Sequence, residues 1–310
     1  MGKLHHFEIA PLAQVLCNVF LIPQGNAIAA SVPAPGAWEL VYGGGTPPSS
    51  SQAIAEVPDA SGNAPSVLAF NATSGNFSVA DWAGLQDVVF CSGVNVTIAL
   101  TVTGSQNLNF YSTDLDTNQL LQTGYNSYVT QLTLADTGND NFYLGNANGD
   151  IVQAGGGADY ISVGVAGTTG GGTGDQLLGG TGAKQTLIAN LAGATLVDGS
   201  GANQTLEAFG GHSTFNIQHG PSDIINSQGG NNAINVAAFA GTETITGTDT
   251  LNFADSFSNA TFAYLASGGE EIKFNDTDQI VYVFGIDQAS FAGTTEAFPQ
   301  PTPTRRTASI

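Results

Sequence analysis

Three aspartates carry the clearest chemical signal in the sequence. They are Asp140, Asp159 and Asp175, in the segments Thr137-Gly138-Asn139-Asp140-Asn141-Phe142, Gly156-Gly157-Ala158-Asp159-Tyr160-Ile161 and Thr173-Gly174-Asp175-Gln176-Leu177. Each acid follows a glycine-containing turn and lies two residues before a large apolar side chain. They are 19 and 16 residues apart. If the chain returns to one edge once per coil, that spacing predicts a stacked row of acids. Carboxylates ~4.8 Å apart repel one another unless a cation lies between them. Calcium, a hard ion taking several oxygen ligands, suits such a row. The plain alternative is a set of solvated turn aspartates.

The composition favours a cation as the ligand. Among 310 residues there are 25 acids and 5 bases, for a net charge of -20. The bases are Lys3, Lys184, Lys273, Arg305 and Arg306, so no cationic cluster exists to displace counterions from nucleic acid. Only 10% of residues are charged while 42% are hydrophobic, enough apolar content for a core. A chain poor in lysine and rich in Asn, Thr and Gly reads as an extracellular bacterial protein. No apolar run reaches the ~18 residues of a membrane span. Residues 9–22 follow Lys3 with the outline of a secretory signal, but Glu8, Pro11 and Asn18 interrupt it. The segment is therefore read as packed N-terminal chain. Cys17 and Cys91 form either one bridge or two buried thiols.

The elements that must position the acids are legible from periodicity. A single large apolar residue follows each glycine-rich turn: Phe142, Ile151, Ile161, Leu177, Leu187, Leu196, Leu206, Phe215, Ile225 and Ile234. Eight of the nine gaps are 9 or 10 residues, and one, across residues 161–177, is 16. GTGAKQTL, ending at Leu187, and GSGANQTL, ending at Leu206, are near copies 19 apart. This predicts an all-β parallel β-roll, or β-solenoid, of about six coils over 136–252, each with two half-turns. One coil cannot bury its own apolar face, so neighbours must stack. Residues 1–66 read as an N-terminal segment with a Pro/Gly/Ser-rich linker, and 67–135 as a β-rich lead-in. Residues 253–296 read as a C-terminal β cap and 297–310 as a flexible tail.

The aspartate segments resemble the calcium-binding nonapeptide G-G-x-G-x-D-x-U-x of the RTX family, in which U is large and apolar. The resemblance implies a secreted β-roll with calcium held between adjacent coils by the aspartates and turn carbonyls, here Asp140, Asp159 and Asp175 with Gly138 and Gly157. The sequence departs from that pattern at Gln185, Ala194, Gln204, Ser213 and Asn232, with the acid restored at Asp223. The second half of the roll is thus expected to be largely metal-free. Residues 270–293 are similar to the β segments closing RTX-type proteins, with Glu270, Glu271, Asp276 and Asp278 expected to cover the open end.

Other chemistry is thin. His5, His6, His212 and His219 show no metal-ligand spacing, and GGTGAK at 179–184 lacks the Gly-Lys-Ser/Thr order of a phosphate loop. Six N-x-S/T sequons, at Asn71, Asn76, Asn95, Asn203, Asn259 and Asn275, follow from composition. The expected function is that of a non-catalytic, secreted cell-surface structural protein: a surface-layer, matrix-filament or adhesive-fibre subunit that associates with itself. The enzyme alternative is a polysaccharide-processing protein using Asp81, Asp87, Asp114 or Asp116 beside Trp82. A carbohydrate- or ice-binding face, as at Thr101-Val102-Thr103, is the third reading, with cell-surface polysaccharide as partner.

Overall fold

In the computed structural model the described residues are 4–8, 38–43, 52–54, 66–71, 74–90, 96–112, 128–134, 137–144, 149–164, 174–286 and 288–298. Cys17, Cys91 and residues 9–22 lie outside them. Apart from one 3-10 turn, Phe257–Asn259, the regular structure of the described residues is β. Successive strands alternate between a 14-stranded and a 12-stranded sheet. In the long sheet the parallel neighbours run from Trp38–Gly43 through Asn141–Leu144, Tyr160–Val163, Thr186–Ala189, Thr205–Ala208, Ile224–Ser227 and Thr242–Thr246 to Ile280–Phe284. The second sheet takes the strands between them, in parallel from Gln52–Ile54 to Gln288–Phe291. The protein is a β-solenoid with two strands per coil. At ~4.8 Å per step, the eleven parallel strands of the long sheet span about 50 Å.

The 19-residue period is the register itself. Leu187 pairs with Leu206 and Leu206 with Ile225 in the long sheet, as Leu196 pairs with Phe215 and Phe215 with Ile234 in the second. These residues are fully buried in one continuous apolar core. Like pairs with like along it: the Phe110 and Phe142 rings stack 4.3 Å apart at 7°. One member of the expected column is displaced. Val152 is the buried residue of Ile151–Gln153, and Ile151 faces outward. Side chains alternate along a strand, so a reading one residue early picks the wrong face.

Both sheets also run through residue 136 without a break, so the stretch read as a lead-in contributes coils of the same solenoid. Its second-sheet strands, such as Val96–Thr103, are longer, and the stretch lacks the glycine nonapeptide, which hides its period in the sequence. At the other end, the antiparallel hairpin Ala260–Tyr264 and Glu270–Phe274 is added to Ile280–Phe284. The rings of Phe253, Phe257, Phe262, Phe274, Phe291 and Phe298 contact one another there. The end is therefore closed by an aromatic plug. Of the acids expected to cover it, Glu270 is buried, whereas Asp276 and Asp278 are exposed in the turn between Glu270–Phe274 and Ile280–Phe284.

Equilibrium urea unfolding checks the register. Leu206→Ala is expected to cost about 2–5 kcal/mol, as truncation of a fully buried leucine does. Val152→Ala is expected to cost several times more than Ile151→Ala.

Candidate functional site

All the solenoid strands run the same way within each sheet, so the starts of the long-sheet strands share one edge and the starts of the second-sheet strands share the other. A polar row lies on each edge. On the first, Asp140, Asp159, Gln185, Gln204, Asp223 and Glu243 occupy successive turns, each at most 1% exposed. On the second, Asp150, Asp175, Ala194, Ser213 and Asn232 are buried, and Asp249 follows them half-buried. Asp140 and Asp159 thus stack as expected, but Asp175 does not join them. It lies on the opposite edge above Asp150, because the 16-residue gap is a stretched half-turn and not a short coil.

The rows are built by turns that stack very closely. A Cβ added to Gly157 would lie 1.6 Å from the Gly138 carbonyl oxygen, and one on Gly182 1.8 Å from that of Gly157. No other residue fits there, which is the structural role of Gly138 and Gly157. The GGTGAK segment belongs to this stack and leaves no room for a phosphate. The residue just before several of these polar side chains takes the left-handed conformation: φ is 63° at Lys184, 60° at Asn203 and 72° at Ser222. That conformation turns the next side chain into the protein.

Backbone groups brought this close, away from water, must find partners. The row supplies them. Asp140 Oδ1 accepts from Leu108 N–H, and Asp159 Oδ1 from Asp140 N–H. Asp159 Oδ2 accepts from Gly155 N–H at 2.9 Å and from Gln185 Nε2 at 3.0 Å. Gln185 takes Gly180 N–H on its Oε1, while its Nε2 also donates to the Gly155 and Gly157 carbonyls at 3.0 and 3.1 Å. Gln204 repeats the arrangement, with Oε1 accepting from Gly199 N–H and Nε2 donating to Gly201 O. On the other edge, Asp175 Oδ1 accepts from Gly149 and Asp150 N–H, and Asn232 Oδ1 from Ser213 N–H.

Burial dominates the electrostatics. It raises the Asp159 carboxyl above its usual range against the three hydrogen bonds that favour its anion. Burial pushes Asp198 up to about 6, although the His219 and Gln218 amides donate to it. Burial pushes Asp223 up to about 7, and the Asp198 charge adds to the shift. Glu243 goes up to about 8 by burial, with Asp223 and Asp198 adding to it and a hydrogen bond from Gln279 opposing it.

The donor set decides where calcium fits. At the Asp159–Gln185 step two carbonyls and a carboxylate converge on the Gln185 amide nitrogen, so this step does not fit a cation. The Asp140–Asp159 and Asp150–Asp175 steps set one acid over another in adjacent coils. Among the described residues, no three His, Cys, Asp or Glu side chains gather closely enough to hold a metal ion by themselves.

The remaining candidates separate. Asp81 is a turn strut, its Oδ2 accepting from Ser105 and Gln106 N–H, and Trp82 is core. Asp87 begins a strand, while Asp114 and Asp116 fall outside the described residues. His212 and His219 are exposed turn residues. Asp150, Glu243 and Asp249 were missed from sequence, although Asp150-Ile151-Val152, Glu243-Thr244-Ile245 and Asp249-Thr250-Leu251 keep the acid two residues before the inward side chain. Among the described residues, no helix is long and apolar enough to cross a membrane. No protein-family model, curated protein or solved structure matches the chain.

Gln185→Met keeps the length of the side chain but removes its acceptor and donors, leaving buried turn groups facing nothing. It is expected to cost about 2–4 kcal/mol, and the loss, read by urea unfolding, should be the same with and without a chelator.

Proposed function

We propose that the chain is a non-catalytic structural subunit that works outside the cell and assembles end to end into a surface layer, matrix filament or adhesive fibre. One observation carries this reading. The outermost strand of the long sheet, Ala260–Tyr264, holds no charged residue and no proline, and its Tyr264 is 55% exposed. Edge strands of monomeric sheet proteins ordinarily carry charges or prolines that discourage further pairing. The other outermost strand of the same sheet is Leu4–Glu8. Pairing one end with the opposite end of a second copy is heterologous and does not close, so it generates a filament. Calcium, in this reading, is held at the Asp140–Asp159 and Asp150–Asp175 steps, where it offsets the repulsion of stacked acids.

A carbohydrate-binding role is the second reading. It is favoured by an open groove of about 780 Å³ near the C-terminal end, whose lining includes the acid Asp249 and the neutral hydrogen-bonding side chains of Asn231, Asn252, Gln288, Ser290 and Thr295. Asn252→Ala is the matching variant, and retention of labelled bacterial exopolysaccharide by the wild type alone would favour this role.

Negative-stain imaging tests the first reading. Purified protein is expected to form filaments or ordered oligomers, and Ala263→Lys, which puts a charge on the free edge, is expected to leave single particles. Strictly monomeric wild-type protein, with and without calcium, overturns it. For the metal, chelation is expected to lower the wild-type melting temperature by a few degrees and to have a smaller effect on Asp140→Asn.

A further inference from the structure

Along the first edge, the six buried polar residues solve one problem in two ways. Gln185 and Gln204 each use an oxygen to accept a backbone N–H and a nitrogen to donate to a turn carbonyl. Asp223 and Glu243 occupy the next two turns of the same row. Asp223 Oδ1 accepts from Gln204 N–H at 2.8 Å, as the glutamine oxygens accept from their own turns. Glu243 Oε2 accepts from Gln279 Nε2 at 3.4 Å. The second oxygen of each acid, Asp223 Oδ2 and Glu243 Oε1, is buried and has no hydrogen-bond partner.

Those two oxygens lie beside turn carbonyls. A Cβ built on Gly220 would be 2.7 Å from Asp223 Oδ2 and 2.8 Å from Gly201 O. One on Gly241 would be 2.8 Å from Glu243 Oε1 and 3.1 Å from Gly220 O. Each carboxyl oxygen therefore borders the same point as a carbonyl oxygen, where the glutamine turns place an amide N–H. A buried carboxyl oxygen without a partner beside a carbonyl oxygen is satisfied by a hydrogen between the two, and Gly201 O, which takes Gln204 Nε2 on one lone pair, has a second to accept it. A carboxylic acid supplies one, because its protonated form has an O–H donor and is close in shape to an amide.

We propose that Asp223 and Glu243 are held as neutral carboxylic acids whose O–H groups donate to the turn carbonyls of Gly201 and Gly220, doing the work of the glutamine amides. The C-terminal half of the solenoid is then a pH-sensitive segment, tight when these acids carry protons and loosened when they lose them. The titratable groups coupled to the two acids are each other and Asp198, from the turn after Thr195–Val197; His219 acts on Asp198. Among the described residues, no lysine or arginine acts on them.

The direction of the pH effect follows from linkage. Unfolded carboxyls titrate near 4, whereas burial moves Asp223 to about 7 and Glu243 to about 8. The folded state binds more protons across that interval, so stability is lost as pH rises from about 4 to about 8 and changes little beyond.

Thermal unfolding from pH 5.5 to 8.5, in buffer containing chelator, tests this. The wild-type melting temperature is expected to fall by several degrees across that range, and that of Asp223→Asn/Glu243→Gln, whose amides keep a donor at every pH, to fall much less. Infrared difference spectra of the wild type between the two pH values should show loss of a protonated-carboxyl band that Glu243→Gln diminishes, a readout that stands even if the double variant folds poorly. A wild-type melting temperature equal at both pH values, or no such band, overturns the proposal. So does calcium, added without chelator at pH 5.5, that raises the wild-type melting temperature but not that of the double variant, which would put a cation where the proposal puts protons.

Discussion

The closeness with which successive turns stack is the constraint on which the rest of the molecule depends. Coils repeat at the spacing of paired strands, so a turn such as Gly156-Gly157-Ala158 lies directly against the one before it. With the Gly138 carbonyl oxygen where a Cβ of residue 157 would be, neither a side chain nor a water fits between them. The apolar column can form only if the turns close in this way, and the turns can close only if their amides and carbonyls find partners inside the protein. The buried polar rows are therefore part of the core in every respect except polarity.

This requirement explains the chemistry of the rows better than charge does. An aspartate such as Asp159 satisfies amide N–H groups with both oxygens but donates nothing to the carbonyls. A glutamine satisfies both kinds of group. The succession Asp140, Asp159, Gln185, Gln204, Asp223, Glu243 is then a record of how the turns complete their hydrogen bonds: by a side-chain amide at Gln185 and Gln204, and by carboxyl oxygens that accept backbone N–H groups at Asp140, Asp159 and Asp223. Burial raises the cost of the ionised form at Asp159, Asp198, Asp223 and Glu243 in common. Among the described residues, no neighbouring ammonium or guanidinium offsets that cost.

The outward surfaces follow a milder version of the same logic. Asn252 donates to Asn235, and Asn235 to Asn216, on neighbouring coils of the second sheet, a ladder that repeats without charge. Threonines stack similarly at Thr186 and Thr205 and at Thr195 and Thr214. The outer strand Ala260–Tyr264 is likewise uncharged.

The solenoid and much of its register were legible in the linear sequence, because burial recurs every 19 residues wherever a coil is built from two glycine nonapeptides. Leu187, Leu206 and Ile225 needed nothing more. The period disappears where loops lengthen, so the coils before residue 136 were not recognisable, and at Ile151-Val152 two apolar neighbours left the inward one undecided. Which edge each acid occupies was settled only in three dimensions. The count of 16 residues from Asp159 to Asp175 resembles one coil, yet the chain uses it as a half-turn, and pairing of strands, which is blind to loop length, places Asp175 over Asp150. The donors opposite the buried oxygens are likewise a tertiary matter, since they belong to residues 19 to 30 positions away that come within 3.1 Å only when the coils are stacked.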